Sequence, residues 1–469
     1  MSLAELKASD ILKTCTKSSE LIYAGQYEAA KEVLGELWYG AGERPYLKTY
    51  PPEVVGEVLL QCGCLSGFLG NARAKDVQDK ARDLLTESLR IFQSLKNRAK
   101  ASEAQYELGI CYFRSGSYDE ARIVLDEALI GVPPEQQGKI IIGQALVEIY
   151  TGRYEEAQDI LNAAKPLFET ASHAVKGRWH GHMGLVFRRL AQGRTEILDK
   201  AIIEYTAAIY HYEQARHERY CGSNLNNLAF LLYRVGRHQE AYENLDRAHE
   251  IFARLKDPGN IAQVEETRAR VLMSRDCYEE ARRVIIGAVD ILEKGGEQAF
   301  LADALIIKAT VQARLGDYDY SLHTFRRAMN NAENAGSLCH AGRAAISMIE
   351  EHGLARLSER AIYHLYRRAD KLLTTSQDAE DITRLRACAR IVVRKLFGPQ
   401  LDEPNFYLPD AVRSYEARFI EQALIEEQGS VTHAAHKLGI SHQSLGNILK
   451  TRHKKLRSKR KEEVSRKPK

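Results

Sequence analysis

Three polar residues near the C-terminus of this 469-residue chain are placed to read a patterned partner: His442, Gln443 and Asn447. With Lys450 they project away from Leu445, Ile448 and Leu449 on a helical spacing. Gln and Asn each present a donor beside an acceptor, so either can pair in bidentate fashion with an adenine edge in a DNA major groove. A run of positive charge follows. Residues 450–469 hold eleven Lys or Arg and two Glu, a local charge of +9. The whole chain carries +4, so the other 449 residues sum to −5 (4 minus 9). An acidic body with one basic end implies a polyanion partner at that end only. Lys450, Arg452, Lys454, Lys455 and Arg457, with the Ser441 hydroxyl, suit phosphate oxygens. Such contacts supply affinity rather than sequence choice.

Other chemistries find little support. No G-x-x-x-x-G-K-[ST] phosphate loop occurs, since Gly138-Lys139 lacks both the earlier Gly and the following hydroxyl. No G-x-S-x-G elbow and no H-E-x-x-H are present. His180-Gly-His182 and His433-x-x-His436 lack an acidic or Cys companion at ligand spacing and read as surface or packing residues. The Cys at 15, 62, 64, 111, 221, 277, 339 and 388 are scattered, and only Cys62-x-Cys64 is close, so they read as small apolar residues of a reducing compartment. The expectation is a chain with no catalytic residue, no metal and no cofactor. No run of 18 apolar residues occurs, and Met1 to Lys13 lacks the apolar core of a secretory signal, so no membrane contact and a cytoplasmic, nucleoid-associated location are expected.

The polar face needs a scaffold, and the surrounding residues outline one. Three prolines fall between Gly398 and Pro409, marking residues 398–409 as a linker. Beyond it Val412, Tyr415, Phe419, Ala423 and Leu424 recur at helical spacing, predicting an amphipathic helix from about Asp410 to Gln428. Gly429 ends it. Thr432 or Ser430 can cap a second short helix with Val431, Ala434, Ala435 and Leu438 inside. Gly439-Ile440-Ser441 makes a turn, and Ser441 can cap a third helix with Leu445, Ile448 and Leu449 inside. Val431 or Ala434, Leu438, Ile440, Leu445 and Ile448 are the expected core, with small Ala435 at a steep helix crossing and Gly439 at positive φ.

The run Glu416-Ala-Arg-Phe-Ile420-Glu-Gln-Ala423-Leu424, followed by Gly429-Ser-Val431-Thr-His-Ala434-Ala435-His-Lys-Leu438-Gly439-Ile440-Ser441-His-Gln-Ser-Leu445, resembles the Fis-type helix-turn-helix of bacterial transcription regulators. The resemblance implies a bacterial origin, double-stranded DNA as partner and a module that acts as a homodimer. Ser430 stands where Asn is common. Gly446 lies inside the recognition helix at a cost of about 1 kcal/mol relative to Ala; either close approach to DNA or a merely weaker helix accounts for it. The domain is placed at 410–457, with a basic tail at 458–469 that is expected to be disordered when free.

The body carries a repeat. Only Pro166 and Pro258 lie between Pro134 and Phe397, leaving that stretch free to be helical. A turn residue, an aromatic two positions on and a small residue three further recur as Gly25-Gln-Tyr27-Glu-Ala-Ala30, Gly116-Ser-Tyr118-Asp-Glu-Ala121 and Gly152-Arg-Tyr154-Glu-Glu-Ala157. The pattern returns as Gly236-Arg-His238-Gln-Glu-Ala241, Asp276-Cys-Tyr278-Glu-Glu-Ala281 and Gly316-Asp-Tyr318-Asp-Tyr-Ser321, with weaker copies near Gly70, Gly193 and Gly353. Successive intervals are 45, 46, 36, 41, 43, 40, 40 and 37 residues. The Gly ends a first helix in the αL conformation, the aromatic opens a second, and the small residue lets the two approach. One hairpin cannot bury its apolar face, so neighbours stack. This pattern, clear over about residues 15–375, resembles the tetratricopeptide repeat.

That resemblance implies a concave groove lined by the first helix of each hairpin: Arg178 and Arg188, then Ser223, Asn226, Phe230 and Tyr233, then Gln263, Glu266, Arg270 and Met273. Asn and Arg suit a peptide backbone or an anionic ligand. The fold class expected is all-α: a tetratricopeptide-like superhelical array over 1–397, then a three-helix helix-turn-helix domain. The expected function is a non-enzymatic, DNA-binding transcription regulator whose groove binds a peptide, small molecule or protein. An adaptor tethered nonspecifically to DNA by its basic end is the alternative.

Overall fold

The computed structural model describes residues 7–45, 47, 50–69, 75–191, 194–295, 298–374, 376, 378–397, 407–454 and 456. The chain divides into two units, Met1–Leu396 and Phe397–Lys469. No strand occurs among the described residues, and no helix there is long and apolar enough to cross a membrane.

The first unit is a stack of helical hairpins. The first three are α1 (Ala8–Tyr23) with α2 (Tyr27–Leu34), α3 (Pro52–Leu69) with α4 (Lys75–Ser94), and α5 (Arg98–Arg114) with α6 (Tyr118–Ala128). Next come α7 (Pro134–Tyr150) with α8 (Tyr154–Ala163) and the short α9 (Lys165–Glu169), then α10 (His173–Leu190) with α11 (Thr195–Gln214). They are followed by α12 (Glu218–Arg234) with α13 (His238–Arg254) and α14 (Pro258–Met273) with α15 (Tyr278–Gly295). The last two are α16 (Gln298–Arg314) with α17 (Tyr318–Asn334) and α18 (Leu338–His352) with α19 (Glu359–Leu372), before a closing helix, α20 (Ala379–Phe397).

The repeated tripeptide explains these boundaries. In each of the six clear copies the second helix begins on the aromatic (or, at His238, the imidazole). The turn residue has positive φ every time: Gly25 +73°, Gly116 +79°, Gly152 +81°, Gly236 +80°, Asp276 +58° and Gly316 +88°. That twist lets the next backbone N–H reach back five residues, as from Ser117 to the Tyr112 carbonyl at 3.0 Å and from Arg237 to Leu232 at 2.8 Å. Carbonyls left open by the helix end are thereby satisfied. Ala30, Ala121, Ala157, Ala241, Ala281 and Ser321 are all fully buried at the helix crossing.

Hairpins also form at the three weaker copies. Gly70 and Gly193 fall outside the described residues. Gly353 departs from the pattern, since its φ is −56° and the backbone stays right-handed. Its glycine is needed for space instead, because a Cβ there would sit 2.5 Å from the Ile349 carbonyl oxygen.

The apolar interior runs within hairpins and continues from each to the next. One buried cluster runs from Ala191 to Val271 and another from Ala262 to Val392. The array also curls back on itself. Arg219 Nε donates to the Gly25 carbonyl at 3.0 Å, bringing the first hairpin turn against the start of α12. His217, 3% exposed, caps α12 there, and burial pulls its pKa down to about 4.

Two outcomes follow. Gly236→Ala should destabilise its hairpin by about 1 kcal/mol, the cost of a Cβ in the αL region, while Asp276→Gly should not; native-state hydrogen exchange across α12–α13 and α14–α15 reads both. The His217 pKa is lowered on folding, so the unfolded chain takes the proton first as pH falls below 6.5. Stability should fall by up to about 1.4 kcal/mol per pH unit from pH 6.5 toward pH 4. His217→Asn, which keeps a capping acceptor but does not titrate, should flatten that part of the pH–melting curve.

Candidate nucleic-acid interface and array groove

In the second unit α21 (Leu408–Glu426) is followed by α22 (Val431–Lys437) and α23 (His442–Thr451). Gly429 at φ +82° ends α21, and the Ser430 hydroxyl, not Thr432, caps α22 by accepting from the His433 N–H. Gly439 at φ +66° ends α22, with the Ile440 N–H reaching the Ala435 carbonyl at 3.0 Å. Ser441 then caps α23 through the Ser444 N–H at 3.1 Å.

Ile420, Ala423, Leu424, Val431, Ala434, Ala435, Leu445 and Leu449 form the core, with Leu438 and Ile448 packed partly against it. Two expectations change. Ile440 is outside the core at 36% exposure, because it sits in the turn itself. Val412, Tyr415 and Phe419 lie on an exposed face of α21, at 59%, 40% and 59%, while Ile420, Ala423 and Leu424 supply the inward face. A unit with two short partner helices covers only one face of a helix this long.

The structure brings His442, Gln443 and Asn447 together, all exposed, on the outer side of α23. Ser441, Lys450 and Lys454 are exposed as well. Arg452 is committed elsewhere, for its guanidinium pairs with Glu416 of α21 at 3.2 Å. Lys455 and Arg457 lie outside the described residues, as does the tail at 458–469. The residue that sequence reasoning missed is His453. It is 9% exposed and meets the other Glu416 oxygen at 2.9 Å, tying the end of α23 to α21. A single His among lysines and arginines gave no signal of this. At Gly446 an added Cβ would have no heavy atom within 4 Å, so packing within the chain does not require glycine there.

The array holds a groove of about 1550 Å³. Arg188, Asn226, Phe230, Gln263, Glu266, Arg270 and Met273 all line it, from α10, α12 and α14. Tyr233 meets Phe230 edge-on at 5.3 Å, and Ser223 donates to the Arg219 carbonyl at 3.1 Å; neither is on the wall. Arg178 lines a separate cavity of about 240 Å³ with Tyr23, Lys139, His217 and Tyr220, and donates to the Tyr106 hydroxyl at 3.0 Å. Burial lowers the pKa of Arg188; burial raises that of Glu266, against the opposing pull of Arg270.

Elsewhere His180 pairs with Glu204 at 2.7 Å, and burial pulls His182 down to about 4. His433 and His436 are exposed. Six of the Cys are buried and free, with Cys277 and Cys339 half-buried. Among the described residues no group of three or more His, Cys, Asp or Glu is placed to hold a metal ion.

Residues 411–450 match the family model described as bacterial regulatory protein, Fis family. The C-terminal unit is a Fis-type helix-turn-helix. The array in turn is tetratricopeptide-like. It is similar to a Signal Transduction ATPase with Numerous Domains protein with a tetratricopeptide repeat sensor from Pyrococcus horikoshii, at a TM-score of 0.50 and 12% identity. The match covers 77% of this chain and 57% of that one, and speaks to fold alone. A Rap protein complexed with Competence and Sporulation Factor aligns at a TM-score of 0.45 and 14% identity, over 82% of this chain and 99% of that one. Yeast Tom70 aligns at a TM-score of 0.41 and 17% identity, over 83% and 84%. No curated protein matches the sequence.

The Fis-type unit should respond to two substitutions in opposite directions. Gly446→Ala should stabilise it by about 1 kcal/mol, because α23 gains helix propensity and the Cβ meets nothing. Glu416→Ala should cost about 1–2 kcal/mol by leaving buried His453 without its acceptor. Thermal melts of the full chain followed at the C-terminal unit check both.

Proposed function

We propose that this chain is a non-enzymatic DNA-binding transcription regulator in which α23 of the Fis-type unit reads an operator in the major groove. The observation that carries the reading is the exposed His442, Gln443 and Asn447 face on the third helix of a unit matching the Fis family over 411–450. Gln443 and Asn447 supply base discrimination, with His442 beside them. Ser441, Lys450, Lys454, Lys455 and Arg457 meet phosphates, and Arg452 contributes charge while anchored on Glu416.

The unit acts as a homodimer in this reading. The exposed Val412, Tyr415 and Phe419 face favours it, because a copy on the same face would remove that apolar surface from water. Two half-sites then lie about one helical turn apart, or a multiple of it. The linker over 398–409, the domain boundaries at 410 and 457, and the basic tail from 458 belong to the same proposal, as does a cytoplasmic, nucleoid-associated location in a bacterium. The array is the sensing part, the role named for the repeats of the Pyrococcus protein. Its groove takes a peptide, small molecule or protein partner through Arg188, Asn226 and Arg270, while Tyr233 supports the Phe230 wall and Arg178 serves the smaller cavity.

A sequence-resolved DNA-binding assay at several salt concentrations tests the reading. Gln443→Ala and Asn447→Ala should each relax preference at particular base pairs, by about 1–3 kcal/mol. Lys454→Ala should weaken all sequences alike and reduce the salt slope by roughly one. A specificity ratio near one for the unaltered chain, with a steep salt slope, would replace this reading with that of a nonspecifically tethered adaptor.

A further inference from the structure

Most charges on the groove wall have opposite partners nearby. Arg270 donates to Glu266, His340 meets Asp303 at 3.2 Å, and Arg384 pairs with Glu350 at 2.7 Å. Asp378 differs in where it comes from. It stands just before α20, yet it reaches Arg189 near the end of α10, 189 positions earlier in the chain. Its Oδ2 accepts from Arg189 Nη1 and, at 3.2 Å, from Arg343 Nη2 of α18. Its Oδ1 accepts the Glu380 N–H at 2.9 Å. One carboxylate therefore caps the last helix of the array and pins it across the groove to the fifth and ninth hairpins.

Arginines and carboxylates on the groove wall are equal in number, but they are not matched one to one. Arg343 is also held by Asp381, through two bonds of 2.8 and 3.0 Å. Arg188 has no carboxylate in hydrogen-bond reach among the described residues; its guanidinium lies 5.3 Å from the centre of the Phe230 ring. Arg189 and Arg343 thus share the carboxylates of Asp378 and Asp381, while Arg188 has none. Asn226, one turn before Phe230 on α12, has a buried Oδ1 without a hydrogen-bond donor among the described residues. A half-buried cation without a carboxylate partner and an orphaned acceptor both cost free energy. A ligand carboxylate that reached Arg188 as well as Arg189, beside an N–H for Asn226, would remove both costs, and its apolar part would lie on Phe230.

We infer that Asp378 is the built-in occupant of an arginine site suited to a ligand carboxylate, and that such a ligand displaces it and frees the start of α20. The ligand chemistry is a carboxylate beside an N–H, as in an N-acylated amino acid or a free peptide C-terminus. Arg188 and Arg189 take the carboxylate, and Asn226 Oδ1 takes the N–H. One anion replaces another at the same guanidinium, so the two states differ little in energy and ligand concentration sets the balance. The inference rests on the sensing role proposed for the array.

Hydrogen exchange of the full chain without DNA tests it, read over residues 378–397. The probes are N-acetylphenylalanine, a glycine-rich pentapeptide ending in phenylalanine with a free C-terminus, and the C-terminal amide of each, at millimolar concentration. The acids should raise exchange at the start of α20 about five-fold and the amides should not. Action by only one of the two acids would support the site and identify the source of its ligand. Asp378→Asn keeps the cap, since Asn caps as well as Asp. It should raise exchange without any probe and lower the half-saturating acid concentration about three-fold or more. Arg188→Gln should abolish the response to acid. Unchanged exchange in Asp378→Asn, or equal effects of acids and amides, would overturn the inference. Because no DNA is present, failure here is separate from failure of the operator reading.

Discussion

The array depends on one backbone bond repeated along the chain. It runs from the N–H after each αL residue to the carbonyl five positions earlier, as from Cys277 to Leu272 at 3.0 Å and from Asp317 to Gln312 at 2.9 Å. The bond ends one helix, satisfies its open carbonyl and aims the next helix back alongside. Each hairpin so formed still has an apolar face that its own two helices cannot cover. Stacking is the remaining way to cover it, and the buried clusters that run across several hairpins are the result. The stack curls because each hairpin is rotated slightly on the last, and the groove is the inner side of that curl.

How much of this can be read from the sequence depends on how local the cause is. Glycine at positive φ leaves a residue-type mark, so five of the six clear hairpin turns are visible as Gly, and the sixth, Asp276, is a residue that tolerates αL. The connections between hairpins use the same conformation at Lys96, Arg216 and Lys256, with φ between +52° and +55°. Those residue types carry no such mark, although the same backbone bond closes the turn, as from Asn97 to the Phe92 carbonyl at 2.9 Å. In the Fis-type unit the helix order, both glycine turns and the polar face of α23 are legible, since each follows from short spacing. The fate of the apolar residues of α21 is not, because periodicity shows that Val412, Tyr415 and Phe419 share a face but not whether anything covers it.

Non-local pairs escape sequence reading entirely. Glu416 and His453 are separated by 37 residues, and Asp378 and Arg189 by 189. Neither pair has a spacing rule, since an ion pair needs only that two side chains arrive at the same place. Both do comparable work, because each ties the end of one helix to an element distant in sequence. At the groove this has a further consequence. Asp381, 3% exposed, sits deep enough that breaking its pair with Arg343 would leave a charge poorly solvated, while the Asp378 carboxylate, 18% exposed, is nearer to water. The groove wall therefore contains a fixed pair beside an exchangeable one.

The Fis-type unit shows the complementary case, in which electrostatics must not be satisfied internally. Lys450 and Lys454 remain exposed, and so do the amides of Gln443 and Asn447. Were these groups paired within the unit, DNA would have to break those pairs before gaining its own. Arg452 marks the limit of that freedom. Its bond to Glu416 lies beside the Glu416–His453 contact and helps hold the end of α23, so it also orients the helix that the exposed residues use. In the operator reading proposed above, affinity rests on the lysines, Arg452 and the basic residues beyond 454, while choice among sequences rests on amides held in place by an eight-residue core. A core that small has little stability to spare. Replacing one of its buried apolar residues would blur base choice through loss of α23 orientation before phosphate affinity is affected, because point charges on flexible side chains tolerate misplacement that bidentate amide contacts do not.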